Sequence, residues 1–246
     1  MFRRLLYNYI YVYLYKALFT TMPKAQELDL TNEKCLCLAP HADDESIGVG
    51  GTLLKYTDNF DVICLTDGYR GVNDGSLSRE EKAEIRRIEF TKAMKFIGIN
   101  SYKFLKEIPD RNLIKNLDFF KDMDISEYDN IFIPNLLDNH RDHKAVSIIL
   151  RELLNTKNHK KDLKIIYYEV WSALPVVNAY VDISNIFEHK KELISLYQSQ
   201  LVEYDYTEKT LGLNMYRGLP FQKNYVEAFY VADTKLFKKL CKMYLI

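Results

Sequence analysis

Two short clusters hold most of the acid–base and metal-ligating chemistry available to this chain. The first is Ala39-Pro40-His41-Ala42-Asp43-Asp44-Glu45; the second, about a hundred residues later, is His140-Arg141-Asp142-His143. Three of the five histidines fall in them, while His159 and His189 sit among lysines and read as surface. Two imidazoles and one carboxylate around an open position make a usual catalytic zinc environment. His41 and Asp44, three apart in a tight loop, can point at one ion, and His143, opening a helix, is the natural third ligand. Asp43, lying between them and facing differently, is the candidate general base for a water beside that ion. His140 can donate to a developing oxyanion or protonate a leaving amine, and Asp142 can bind its other ring nitrogen and set its tautomer. The same donors accept Fe²⁺, Co²⁺ or Ni²⁺ as well as Zn²⁺.

Both clusters must be carried by strand ends. Cys35-Leu36-Cys37-Leu38 precedes the first and Ile131-Phe132-Ile133-Pro134 the second. The apolar runs predict buried strands at 34–39, 60–66, 130–134 and 163–169, a short one at 102–105, and late extended segments at 181–183 and 225–231. Helices are expected at 47–57, 78–96, 111–122, 142–156 and 184–203. Ser78 with Glu81 forms a capping box, Gly98 a C-cap, and Ser184 the N-cap of the last helix. Alternating strands and helices predict an α/β fold: a Rossmann-like three-layer sandwich with a mostly parallel sheet. In such folds ligands bind at the carboxyl ends of the strands. Further strand-end loops add weaker pocket candidates: Asp67 and Arg70, Asp110 and Arg111, and Glu169 with Trp171. Trp171 suits either a sugar face or the core.

The 246 residues are 48% hydrophobic and 28% charged, enough to fill a core. Lys+Arg and Asp+Glu both number 34, so no basic field draws the chain to nucleic acid. Cys35 and Cys37 share one strand face, and all four cysteines read as core thiols of a reduced, cytoplasmic setting. Residues 1–30 form a tyrosine-rich arm, and 31–246 a single domain. Within residues 1–22 the run from Leu5 to Thr21, interrupted by Asn8 and Lys16, falls short of a spanning helix in length and purity. These residues suit packing on the domain or on a homo-oligomeric partner, peripheral membrane contact, or a true anchor or signal, and the alternatives stay open.

The paired blocks resemble the LmbE-like, or PIG-L, family of zinc-dependent N-acetylglucosaminyl deacetylases. His41-Ala42-Asp43-Asp44-Glu45 looks like its first signature and His140-Arg141-Asp142-His143 its second. Arg86-x-x-Glu89 leading to Gly98, Lys191 through Ser199-Gln200, and Tyr225-Val226-Glu227-Ala228-Phe229 look like later pieces, so the likeness runs from about 34 to 233. Arg141, Ala42 and Asn139 depart from the commonest choices without removing a ligand. The resemblance implies His41, Asp44 and His143 as zinc ligands and Asp43 as general base. It also implies His140 at the oxyanion with Asp142 in support, and Arg86 as a substrate-binding arginine. The implied reaction is zinc-dependent removal of an N-acetyl group from an N-acetylated amino sugar or conjugate. Two rivals stand beside it: an amidase acting on a bulkier conjugate, and a non-catalytic metal-stabilised subunit of a glycan-assembly system.

Overall fold

The computed structural model describes residues 24–202 and 204–245. Among them one sheet takes in β1 (Gln26–Glu27), β2 (Cys35–Ala39), β3 (Phe60–Cys64), β4 (Ser101–Phe104), β5 (Asn130–Pro134), β6 (Lys164–Tyr168), β7 (Ala179–Asp182) and β8 (Val226–Asp233). Their order is β1-β7-β8-β6-β5-β2-β3-β4. The block from β6 to β4 is parallel throughout, with Cys35 to Ala39 in register with Phe60 to Cys64. β8 runs antiparallel to both β6 and β7. This is the expected mostly parallel α/β sheet. The chain moves from β2 outward through β3 and β4, then returns to place β5 on the other side of β2. That reversal opens a crevice between the carboxyl ends of β2 and β5, where an open α/β sheet offers a ligand site.

Side-chain alternation divides the core. Leu36 and Leu38 face one layer, packed with α3 (Arg141–Thr156) and α7 (Thr234–Tyr244). Cys35 and Cys37 face the other, packed with α1 (Asp44–Lys55), α2 (Arg79–Ile97) and α4 (Phe187–Ser195). All four cysteines are buried and free. β2, β5 and β6, at the centre of the sheet, are short and almost wholly apolar, as strands buried on both faces must be.

Local signals hold where nothing tertiary competes. Ser78 and Glu81 make the capping box of α2, and Gly98 closes it at φ +91°. Where tertiary partners intervene, the outcome differs. The expected helix at 184–203 is two, α4 and α5 (Gln198–Leu201). Ser184 caps neither: its hydroxyl donates to Asp182 Oδ1 at 2.6 Å and accepts from Tyr225 N–H at 3.2 Å. The break falls at Tyr197, buried with its hydroxyl on Glu45. The expected helix at 111–122 is a 3₁₀ run, Leu113–Phe120, kinked at Asn116. There the Asp142 carboxylate takes the N–H groups of Arg111 and Leu113. The sequence reading also passed over α6 (Thr207–Gly218), α7 and β1. Pairing of β1 with β7 at Gln26↔Ala179 and Glu27↔Tyr180 puts Gln26 and Glu27 at the sheet edge. The tyrosine-rich run at 1–22 lies outside the described residues. Among the described residues no helix is long and apolar enough to cross a membrane.

Candidate metal-dependent active site

The loop from β2 into α1 carries the first cluster. Asp44 begins α1 and is 1% exposed. Its Oδ2 accepts from the His41 N–H at 2.9 Å and lies 3.1 Å from His41 Nδ1 and 3.2 Å from His143 Nε2. His143 comes from the first turn of α3, after β5. The three residues expected to hold a metal are thus drawn together around one carboxylate. His41 Nε2 faces two further carboxylates, Asp110 Oδ1 at 3.3 Å and Asp142 Oδ2 at 3.4 Å. Donor atoms of His41, His140 and His143, and likewise of His41, Asp110 and Asp142, lie within 4.8 Å of one another.

The cluster fits a bound cation by what it leaves unpaired. Asp44 Oδ1 is buried without a partner, and Asp110 Oδ1 and both ring nitrogens of His143 are buried with only contacts at 3.2–3.3 Å that lack hydrogen-bond geometry. Such orphans are rare in native interiors and call for a ligand. The acid–base balance agrees. Burial alone would raise Asp44, but the His143 and His41 imidazoles override it and hold the carboxylate well below its usual range. Burial opposes protonation of His143, yet Asp44 and Asp138 prevail and lift it to about 9. Burial likewise opposes protonation of His41, but Asp110, Asp142 and Asp44 together raise it well above an ordinary imidazole. An anionic pocket that holds protons on its histidines is one in which a divalent cation can take their place.

Asp43 stands apart from this set. It caps α1 at φ +138°, a conformation costly for a side-chain-bearing residue. Its N–H donates to Glu45 Oε2 at 3.2 Å, and Glu45 is itself held by Ser46 and Tyr197. Tyr206 donates to Asp43 Oδ2 at 2.8 Å, and Arg86 lies 3.3 Å from Oδ1. Burial pushes the carboxyl up to about 6, with Arg86 opposing, which suits a base working near neutrality.

His140 caps α3, its Nδ1 accepting from the Asp142 N–H at 3.3 Å. A neutral ring accepting at Nδ1 carries its proton on Nε2. Burial, reinforced by the neighbouring His41 and His143, lowers its pKa and favours that neutral form. The expected support from Asp142 therefore comes from its backbone. Its carboxylate serves Arg111 and Leu113 and faces His41 instead.

The other candidates separate. Arg70, Asp110 and Arg111 line the cleft, together with His41, Asp43, Asp44, Arg86, His140, Trp171 and Gln200. Asp67 does not: Arg79 clasps its Oδ2 at 2.6 and 3.0 Å, and its Oδ1 accepts from the Asp110 N–H at 2.9 Å. It therefore shapes the Asp110 loop from behind. Arg86 is 1% exposed and bound to the Ala42 carbonyl and Glu89, so it braces the Asp43 loop while touching the cleft. Glu89 in turn accepts from Ser199 at N and Oγ, both 2.7 Å, uniting two segments distant in sequence.

Sequence reasoning missed Asp138 and Tyr206. Asp138 lies 3.3 Å from His143 Nδ1 and accepts from the N–H groups of His140 and Trp171. Its place two residues before His140 was the available signal. Tyr206, 163 positions from Asp43, had none.

Residues 36–154 match the PIG-L family, described as GlcNAc-PI de-N-acetylase. A curated diacetylchitobiose deacetylase from Thermococcus kodakarensis is 43% identical over 70 residues, 27% of this chain. That match spans about a quarter (26%) of the relative's own length. The solved N,N'-diacetylchitobiose deacetylase from Pyrococcus horikoshii is similar at 27% identity and TM-score 0.68, covering 83% of this chain and 87% of that one. A 4-carboxy-2-hydroxymuconate hydratase, GalB, from Pseudomonas putida shares the fold at 17% identity and TM-score 0.62, over 82% of this chain and 96% of its own. The match to the PIG-L, LmbE-like family covers 36–154, just under half of the chain; the shared hydratase fold leaves the reaction to be argued from the site.

Proposed function

We propose that this chain is a metal-dependent amide hydrolase that removes an N-acetyl group from an N-acetylglucosamine-type sugar or conjugate. The observation that carries the reading is the buried His41–Asp44–His143 set with its unpaired donor atoms, beside a separately held Asp43. The match to the PIG-L family and the likeness to sugar deacetylases support it.

His41, Asp44 and His143 would hold the ion; their imidazole and carboxylate donors suit zinc among other divalent transition metals. When bound, it supplies Lewis acidity to the amide carbonyl and draws down the pKa of the attacking water. Asp43 takes the water's proton at the oxygen not turned to Tyr206. The Tyr206 hydroxyl and Arg86 keep that carboxylate oriented. His140 presents its Nε2–H to the oxygen on which charge develops, in a site where preorganised donors count most. The Asp43 proton passes to the departing amine, leaving acetate and the free amino sugar.

The test is acetate release from a panel of N-acetylated sugars and conjugates, using metal-stripped protein with zinc restored. Release should depend on zinc. Asp43→Asn should lower kcat by about 10²–10⁴-fold while the protein still takes up one equivalent of metal. Turnover indifferent to chelation, or unchanged by Asp43→Asn, would overturn the assignment.

A further inference from the structure

The chain has one tryptophan, and the fold places it at the rim of the cleft. Trp171 follows β6 and is 53% exposed. A ring of this size carries a large apolar payload and is usually well covered. Here it is exposed but held. Its backbone N–H donates to Asp138 Oδ2 at 3.1 Å, the same oxygen that faces His143. Its indole meets the ring of Tyr206 edge-on, with centroids 5.5 Å apart and planes at 87°. Tyr206 in turn donates to Asp43. The backbone of Trp171 and its ring are thus each set against a group that orients the reaction centre, the one on Asp138 and the other on Tyr206.

The cleft measures about 240 Å³, below the roughly 300–1,000 Å³ that encloses a drug-sized ligand. That is room for about one sugar residue, and a second ring joined to it would rest on the rim. Apart from Trp171, the lining consists of charged, imidazole, amide and glycine residues. A pyranose has the matching pair of surfaces: hydroxyls round its edge and a C–H face that packs on an aromatic ring.

Building on the N-deacetylase reading, we propose that Trp171 is a stacking platform for a second pyranose ring. That ring is joined to the residue that loses its acetyl group. The cleft therefore prefers an oligosaccharide or glycoside to a free monosaccharide.

Because Trp171 is the sole tryptophan, intrinsic fluorescence reports this ring directly. Zinc-loaded Asp43→Asn protein, which binds without turnover, would be titrated with N-acetylglucosamine and with its β-1,4-linked dimer. The dimer should perturb the emission at about tenfold lower concentration than the monomer. In the otherwise native enzyme, Trp171→Ala should lower the dimer-to-monomer ratio of kcat/KM about tenfold, and Trp171→Phe should restore most of it. Coincident titrations, or an unchanged ratio in Trp171→Ala, would overturn the platform. A dimer-selective emission change with no acetate release would sustain the platform and overturn the reaction. Acetate release with silent emission would do the reverse.

Discussion

Two clusters of buried charge lie along α1, and they are built in opposite ways. Behind the helix, Lys190 is fully buried and its ammonium donates to Ile47 O at 2.8 Å, Asn214 Oδ1 at 2.9 Å and Glu227 Oε1 at 2.6 Å. Glu227 also accepts from the N–H groups of Gly51 and Thr52, both at 2.7 Å, and from the Thr52 hydroxyl at 2.6 Å. All three ammonium protons and both carboxylate oxygens are used. At the front of the same helix, Asp44, Asp110 and His143 keep buried atoms without hydrogen bonds. A saturated cluster can only hold structure; an unsaturated one is prepared for something the protein does not itself supply.

Breaking the saturated cluster should have the largest effect on stability. Lys190→Met leaves the Glu227 carboxylate buried without its counter-charge, at a cost of about 3–5 kcal/mol. Chemical denaturation should show this as a fall in midpoint, and adding Glu227→Gln should recover part of it. A loss equal to the sum of the two single losses would mean that the residues are not coupled. At the front of the helix the sign reverses. Zinc at a hundred times its dissociation constant should stabilise the fold by about 2.7 kcal/mol, read as a rise in thermal midpoint. Asp44→Ala should abolish that rise; a stabilisation that survives in this variant would place the ion elsewhere. The smallest effect is expected between the two extremes, at Asp138. Asp138→Asn should weaken zinc binding about 10–100-fold through its hold on the His143 ring, with little change in unfolding of the metal-free protein. Competition against a chromophoric chelator would measure it, and unaltered affinity would remove Asp138 from the site.

The glycines of α1 show why both clusters can share one helix. A Cβ at Gly48 would fall 2.2 Å from the Tyr168 ring and 2.8 Å from the Glu169 carbonyl. The helix lies directly on β6, a close approach that glycine at 48 permits. What it approaches was not readable, because Glu227 is 176 positions from Gly51 and Lys190 143 from Ile47. The same distinction runs through the active site. The crowding of His41, Asp43 and Asp44 into one loop is local and visible in the chain. The bracing by Tyr206, Arg86 and Ser199 is assembled across the fold. Ser184 and the 111–122 segment mark the limit from the other side: local helix signals were present, and non-local hydrogen bonds from Tyr225 and Asp142 redirected them.

The amino-acid sequence alone determined the run of buried strands, the mostly parallel α/β sheet they build, and the two blocks that carry histidines and carboxylates. These follow from hydrophobic patterning and from residue chemistry, both written in neighbouring positions. Tertiary structure alone decided which atoms of those blocks meet and which stay unpaired. It decided that Asp142 supports His140 through its backbone and that Asp67 stands behind the cleft. It also brought Trp171 to the rim against Tyr206. Each of these depends on strand order bringing distant loops to one sheet edge, and distance through space is not a property of spacing along the chain.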